Sequence, residues 1–187
     1  MLNEKNMKNI IRVVSLSVVV GCLTLTSCLK SGMEELTNSS DKVLSSIDYT
    51  YRFLYNDTIQ KGTDKQQILE GRMCEVLFKK NTEKIEEGGL EGFKTTISYD
   101  ANSVLKAGPT GSVTKAMLFK EFEKLIKVDQ LNKLWVYMTI SDAATITGVK
   151  DAPKLGSPGN FSTDHIYTVR AADGSSKEYL IKTIKGF

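Results

Sequence analysis

Few side chains of this chain could act as nucleophiles or zinc ligands, because it has one histidine and three cysteines. A Ser-His-Asp triad would have to use His165, which alternates with Ile166 and Tyr167 in a predicted strand. Cys74 lies in an apolar stretch, where a buried, inert thiol is expected rather than a nucleophile. We therefore expect no enzyme, no cofactor and no metal site.

Pairs of carboxylates could act as general acid and base on a polysaccharide. The chain offers Glu86 with Glu87, Glu121 with Glu123, and Asp142 with Asp151. With 22 acidic residues in the chain, such pairs arise by chance, and a solvated surface explains them. They predict no catalytic site.

Aromatic residues on predicted strands form a candidate ligand platform, because sugars stack on aromatic faces. The residues concerned are Tyr49, Tyr51, Tyr55, Trp135, Tyr137 and Tyr167. Alternating tyrosines are more typical of an ordinary core with cross-strand pairs, and we expect Trp135 in the core. Both interpretations stay open from the sequence.

A lipid attachment signal lies near the start of the chain. Residues 25–28 read Leu-Thr-Ser-Cys and match a bacterial lipobox, in which the chain is cut before Cys28 and its sulfur receives lipid. Lys5, Lys8 and Arg12 precede an apolar stretch. Residues 13–27 number 15, fewer than the about 20 that a membrane-spanning helix needs. We expect residues 1–27 to be a signal peptide and Cys28 to be the membrane anchor.

Two alternatives to this anchor stay open. Residues 19–22 (Val-Val-Gly-Cys) also fit a lipobox, although cutting there leaves a short apolar segment. A plain secretory signal with an accidental cysteine is the other alternative. Both predict a secreted body. The first alternative places the lipid on Cys22, and the second attaches no lipid.

The body after the signal is close to neutral. Three of the 25 basic residues and one of the 22 acidic residues lie in residues 1–27, which leaves a net charge of +1. This balance argues against a large electropositive surface, and we expect no nucleic-acid partner. Once Cys22 is removed and Cys28 is lipidated, Cys74 has no partner for an intrachain disulfide.

Period-two alternation predicts strands over most of the body. After a polar tether over residues 28–46, strands are predicted at 47–55, 70–80 and 93–99, with a loop at 56–66 and a charged turn region at 79–92. The second strand places Cys74, Val76 and Phe78 on one face. Residues 106–111 carry Gly-Pro and predict a loop.

The last third combines one helix with further strands. Leu118, Phe122 and Leu125 are spaced as in a helix from Thr114 to Leu125, which Ser112 or Thr114 could cap. Residues 134–140 are apolar on both faces and predict a central strand. An Asp-Gly turn within 171–176 joins two β-rich segments into a hairpin. The chain is predicted to be mainly β, an Ig-like β-sandwich with one short helix.

Residues 151–162 (Asp-Ala-Pro-Lys-Leu-Gly-Ser-Pro-Gly-Asn-Phe-Ser) and 167–179 resemble the C-terminal β-module of Bacteroides-type surface lipoproteins. Residues 27–36 resemble the start of the same proteins, some of which are encoded beside outer-membrane glycan-uptake systems of the starch-utilisation type. The resemblance implies an Ig-like module over 134–187, outer-membrane anchorage, surface exposure and no catalytic residue. Residues 47–133 then form an N-terminal β-rich part, either separate from that module or in one sandwich with it.

Residues 57–59 (Asp-Thr-Ile) also resemble the short acceptor motif for protein O-glycosylation in that bacterial group. Thr58 would carry the sugar, in a predicted loop where an acceptor is accessible. Two functions stay open for the whole chain. One is a surface lipoprotein that binds a polysaccharide or an outer-membrane transporter protein, and the other is a structural accessory subunit of an outer-membrane complex.

Overall fold

The computed structural model describes residues 38–103, 105–107 and 111–187. The predicted signal peptide and Cys28 lie outside these residues. Ser39–Phe187 form one compact unit. The described end of the predicted tether reaches into this unit, because the first strand already begins at Leu44, whose side chain is buried. Among the described residues, no helix is long and apolar enough to span a membrane.

Two sheets and one helix make up this unit. The strands are β1 (Leu44–Ile59), β2 (Gln67–Leu77), β3 (Lys79–Glu87), β4 (Leu90–Ser98), β5 (Leu105–Ala107), β6 (Trp135–Ile140), β7 (Thr145–Gly148), β8 (His165–Arg170) and β9 (Ser176–Lys185), and the helix is α1 (Lys115–Asp129). Sheet A has the order β5-β2-β1-β6 and sheet B the order β3-β4-β9-β8-β7. Each sheet contains strands from both sides of residue 134. The predicted mainly-β sandwich with one short helix is confirmed.

Strand β1 sets the inner layer of sheet A. Its odd-numbered residues from Ile47 to Phe53 are buried in the core, as the alternation predicts. The Tyr49 hydroxyl lies 3.0 Å from the Thr183 hydroxyl of β9, so one hydrogen bond joins the two sheets across the core. A bulge between Tyr55 and Asp57 then shifts the register of β1 against β2.

Helix α1 closes one end of the core. The Thr114 side chain accepts a hydrogen bond from the Met117 backbone N–H, which satisfies one of the free amides of the first turn. Leu118, Phe122 and Ile126 are buried one turn apart. The helix begins where the sequence predicts and ends at Asp129, one turn beyond the predicted end.

The prediction of a turn region at 79–92 is wrong. Residues 79–87 form β3, which pairs antiparallel with β4 along its whole length and lies at the edge of sheet B. None of its side chains is buried, so it lacks the apolar alternation by which strands are recognised. Its charged side chains suit an exposed edge strand. The turn itself is Gly88 and Gly89, both at positive φ (61° and 78°).

The extent or position of four other segments also differs from prediction. Strand β1 continues to Ile59, because the bulge lets it keep pairing with β2 through the predicted loop. Short strands β5 and β7 were not predicted, since three or four residues give too little alternation to detect. Strand β6 lies at the edge of sheet A and not at its centre. The C-terminal hairpin of β8 and β9 is confirmed.

Candidate functional site

His165 and Cys74, which could act as a base and a nucleophile, have structural roles. His165 is buried in β8, with its Nε2 atom 2.8 Å from the Asn160 carbonyl oxygen. Its ring meets Phe161 edge-on at 5.5 Å. The Cys74 side chain is fully buried, and burial raises the pKa of its thiol to about 11, so a thiolate is disfavoured at neutral pH.

The acidic pairs lie on the solvated surface. Glu86 and Glu87 are exposed on the edge strand β3, and Glu87 pairs with Lys182 at 2.7 Å. Glu121 is exposed on α1 and pairs with Lys124 at 3.2 Å. Within the described part of the chain, no group of three or more His, Cys, Asp or Glu side chains could hold a metal ion.

Three of the six aromatic residues proposed for a platform lie inside the core. Tyr49, Tyr51 and Tyr167 are all at most 3% exposed, so their inclusion in a solvent-facing platform is wrong. Each hydroxyl has its own hydrogen-bond partner. Tyr51 donates to the Asp129 carboxylate, and Tyr167 donates to the Pro153 carbonyl oxygen at 2.6 Å. Burial raises the pKa of all three phenols, which keeps them neutral.

Tyr55 is half-buried at the far end of β1 from Leu44. The Arg72 guanidinium lies 5.8 Å from its ring centroid, close to the buried Asp57. The ring is thus covered on one side by a neighbouring strand's side chain. As an odd-numbered residue of β1, Tyr55 does not share the face of Trp135 and Tyr137, the two remaining aromatic residues of the predicted platform.

Trp135 and Tyr137 lie together on the outer side of sheet A, so the expected core position of Trp135 is wrong. In the β1–β6 register Trp135 is opposite Thr50 and Tyr137 is opposite Asp48, so both rings share the face of the even-numbered β1 residues. Leu54 and its partner Met73 on β2 share this face too. We call Arg52, Leu54, Met73, Trp135 and Tyr137 the outer aromatic face.

Arg52 ties this face together. Its guanidinium carbon lies 4.5 Å from the Trp135 ring centroid and 5.7 Å from that of Tyr137, and it also donates to the Tyr137 hydroxyl. Its Nε and Nη2 atoms approach one oxygen of Glu75 at 2.9 and 2.8 Å. Stacking and ion pairing together fix the guanidinium, and through it the two rings.

Glu75 remains a carboxylate in this cluster. Burial alone would raise its pKa, but the hydrogen bond and charge of Arg52 outweigh burial, and the pKa lies below its ordinary value. Arg52 therefore has a permanent counterion at neutral pH. Thr50, opposite Trp135 and two residues from Arg52, is buried on this side of the sheet.

A small cavity of about 230 Å³ adjoins Trp135. Leu54 and Met73 are 69% and 52% exposed, so they offer apolar surface to solvent. Pro158 also lines the cavity, and Lys133 stands at it with its ammonium 2.9 Å from Asp129. The cavity thus combines apolar groups with two cations that already have partners.

A larger hollow of about 660 Å³ lies between α1 and the residues 101–103 and 105. Its described lining offers one aromatic ring, Phe119, and the aliphatic Leu105, beside the charged groups Lys115, Lys120 and Glu123. Aromatic and apolar groups that share one fixed surface favour recognition more than scattered surface charges do. The outer aromatic face is therefore the candidate site.

The predicted acceptor Thr58 does not lie in a loop. It is half-buried in β1 opposite Ile68, and its carbonyl oxygen accepts from the Ser112 amide at 2.9 Å. Modification of Thr58 remains a prediction, now for a strand position. The acidic residue of the motif, Asp57, has a fully buried side chain and a structural role that the sequence did not reveal.

The Asp57 carboxylate binds backbone amides of the segment that leads into α1. It accepts from the N–H groups of Thr58, Gly111, Ser112 and Val113 at 2.6–3.0 Å. The Arg72 guanidinium lies 3.8 Å away. Above all the Gly111 hydrogen bond, with those of the other amides, lowers its pKa to about 2, although burial opposes ionisation. Partners more than 50 residues away in sequence left no local signal.

Comparison with known proteins places the chain in a family. It is similar to the crystal structure of a candidate secreted protein from Bacteroides fragilis, with a TM-score of 0.48 and 23% identity over 79% of this chain and 97% of that one. No curated protein matches the chain significantly. Residues 44–182, which include α1 and all the strands except the last three residues of β9, match the family described as DUF5018-related. The chain therefore belongs to the DUF5018-related family.

Proposed function

We propose that this protein is a non-enzymatic surface lipoprotein, held in the outer membrane by lipid on Cys28, that binds a glycan through the outer aromatic face. One observation carries the binding proposal. Trp135 and Tyr137 stand on the solvent side of sheet A and are fixed in place by Arg52, beside the exposed side chains of Leu54 and Met73.

Such a surface suits the chemistry of a sugar. The C–H face of a pyranose ring is apolar and packs on an aromatic ring, while its hydroxyls need polar partners at the rim. Because the ion pair with Glu75 holds Arg52, and Arg52 holds both rings, little side-chain freedom is lost on binding. These features support a binding role for this face.

Fluorescence tests the binding proposal directly, because Trp135 is the single tryptophan of the chain. Residues 29–187, which contain the whole compact unit, would be titrated with a panel of polysaccharides. We expect a saturable change in Trp135 emission with at least one of them. No binding across a broad panel, by fluorescence and by affinity electrophoresis, would overturn the proposal.

The anchor has a separate test. Several acyl chains on one cysteine retain a protein at a membrane, whereas a single chain gives only marginal binding. Mass spectrometry of the protein isolated from native membranes should find an N-terminal Cys28 that carries lipid. An unmodified Cys28 thiol, or a chain that retains residues 1–27, would contradict the anchor.

A structural accessory role is the second candidate function. The exposed side chains of Leu54, Ile68 and Met73 favour it, because neighbouring exposed apolar groups also mark protein interfaces. This role predicts co-purification with an outer-membrane transporter and no sugar binding. The two functions therefore give opposite results in the polysaccharide titration.

A further inference from the structure

We infer that the glycan bound by the outer aromatic face is uncharged, without uronate, sulfate or phosphate groups. This inference rests on the proposed function and specifies its ligand class. It follows from the way in which the cations at this face are already paired with carboxylates of the same chain.

Arg52, the cation between the two rings, already has a counterion in Glu75. Both of its contacts with Glu75 are shorter than 3 Å, and the two side chains are only 24% and 18% exposed. An anionic sugar group that approached Arg52 would have to displace Glu75 or lie beside it. Displacement leaves Glu75 partly buried without its partner, which is unfavourable.

Lys133, the second cation at the cavity, is paired in the same way. Its ammonium lies 2.9 Å from the Asp129 carboxylate, which also accepts from the Tyr51 hydroxyl of the core and so is held in place. A lysine ammonium has three N–H donors, and one partner leaves two for sugar hydroxyls. Lys133 can therefore serve a neutral ligand without losing Asp129.

The other cations on this side of sheet A also lie beside carboxylates. Asp48, opposite Tyr137, pairs with Lys80 at 2.6 Å. Lys106 lies opposite Glu75 in the β2–β5 register and helps to lower the pKa of that carboxyl group. A charged sugar would lose its hydration here and gain little attraction, whereas a neutral sugar keeps the apolar contacts with Leu54, Met73 and Trp135.

Pairs of polysaccharides that share a backbone and differ in charge test the inference. Two pairs serve as probes, hydroxyethyl cellulose with carboxymethyl cellulose and dextran with dextran sulfate. Affinity electrophoresis and Trp135 emission would be measured with residues 29–187 for each member. We expect a neutral member to bind at least about tenfold more tightly than its charged partner, a difference of about 1.4 kcal/mol.

Glu75→Gln tests whether the Arg52–Glu75 ion pair causes the preference for neutral polysaccharides. The variant leaves Arg52 without its counterion, so we expect the preference for the neutral member to shrink at least about threefold, most of all at low salt. Glu121→Gln is the matched control, because it removes the same charge from the exposed side of α1. The control should keep the wild-type preference.

The outcomes separate the inference from the proposed function. A charged member that binds as tightly as its neutral partner would overturn the inference and leave glycan binding standing. An unchanged preference in Glu75→Gln would also overturn it, because pairing would then not set the selectivity. If neither pair nor the broad panel binds, the proposed function fails and the inference fails with it.

Discussion

The inner and outer sides of sheet A use the same kinds of residue in opposite ways. On the inner side, Tyr51 buries its ring against Phe122, with centroids 5.7 Å apart, and its hydroxyl reaches Asp129. On the outer side, Trp135 lines a cavity, and the Arg52 guanidinium lies over its ring with Glu75 as its ion-pair partner. Adjacent residues of β1 therefore serve stability on one side and, in the function we propose, recognition on the other.

The two sides differ in the kind of side chain that contacts each aromatic ring. Inner rings are surrounded by other rings and aliphatic side chains, and the hydroxyls of Tyr49, Tyr51 and Tyr167 have hydrogen-bond partners within the protein. Outer rings are held by a charged side chain that stays at the surface, which leaves part of each ring free for a ligand. Substitutions on the two sides should therefore separate stability from binding.

Phe122→Ala should have the largest effect, on stability. The Phe122 ring is fully buried and contacts the rings of Tyr51, Phe78 and Tyr99. Truncation should lower the free energy of unfolding by about 3–5 kcal/mol, measured by urea denaturation. The affinity of the molecules that remain folded should be unchanged. Phe122→Leu is the milder control, and a loss as large as that of alanine would contradict this account of the packing.

Asp57→Asn should weaken the fold at neutral pH and reduce its sensitivity to acid. The pKa of Asp57 lies at about 2, below its ordinary value of 3.8, so the ionised carboxylate stabilises the fold above about pH 4. This contribution is lost as the pH falls from about 4 to about 2. Urea midpoints over this window should decline less steeply in the variant than in the wild type.

An outer-side carboxylate provides the control for Asp57. Asp48 is paired with Lys80, and its side chain is 43% exposed. Asp48→Asn should therefore change the urea midpoints much less than Asp57→Asn does. Equal effects of the two substitutions would mean that the backbone amides at 111–113 do not depend on Asp57.

Trp135→Ala should have a small effect on stability and a large effect on binding, the reverse of what we expect for Phe122→Ala. The ring is half-buried, so we expect a loss of only about 1 kcal/mol in the free energy of unfolding. Binding of a neutral polysaccharide should weaken at least about tenfold, measured by affinity electrophoresis because the variant has no tryptophan. Retained affinity would place the ligand elsewhere.

Leu54→Ser should have the smallest effect. Because Leu54 is 69% exposed, the free energy of unfolding should change by no more than about 0.5 kcal/mol. The affinity for the neutral polysaccharide should fall about two- to threefold, through loss of apolar contact. A change of several kcal/mol in stability would show that Leu54 packs more deeply than its exposure indicates.

Elements with strong periodicity could be predicted from the sequence. The alternation in β1 and the spacing of Leu118, Phe122 and Leu125 each reflect one buried face, so local residue types are sufficient. Strand β3 could not be predicted, because an exposed edge strand has no buried face to create such a pattern. Its position depends on pairing with β4, which local composition does not encode.

The candidate site could be predicted only in part. Both Trp135 and Tyr137 were identified as aromatic residues on a strand, but the apolar residues on both faces of β6 gave no indication of which face meets solvent. The key partner, Arg52, is more than 80 residues from either ring and reaches them through the β1–β6 register. The periodicity of a sequence does not predict contacts between strands that are far apart along the chain.

The most direct test of the account is a titration of Trp135 fluorescence with a neutral polysaccharide that the chain retains in affinity electrophoresis. If the ligand binds at the outer aromatic face, we expect a saturable change in Trp135 emission whose midpoint matches the affinity from electrophoresis. Binding with no change in Trp135 emission would contradict it, because the ligand would then lie away from the outer aromatic face.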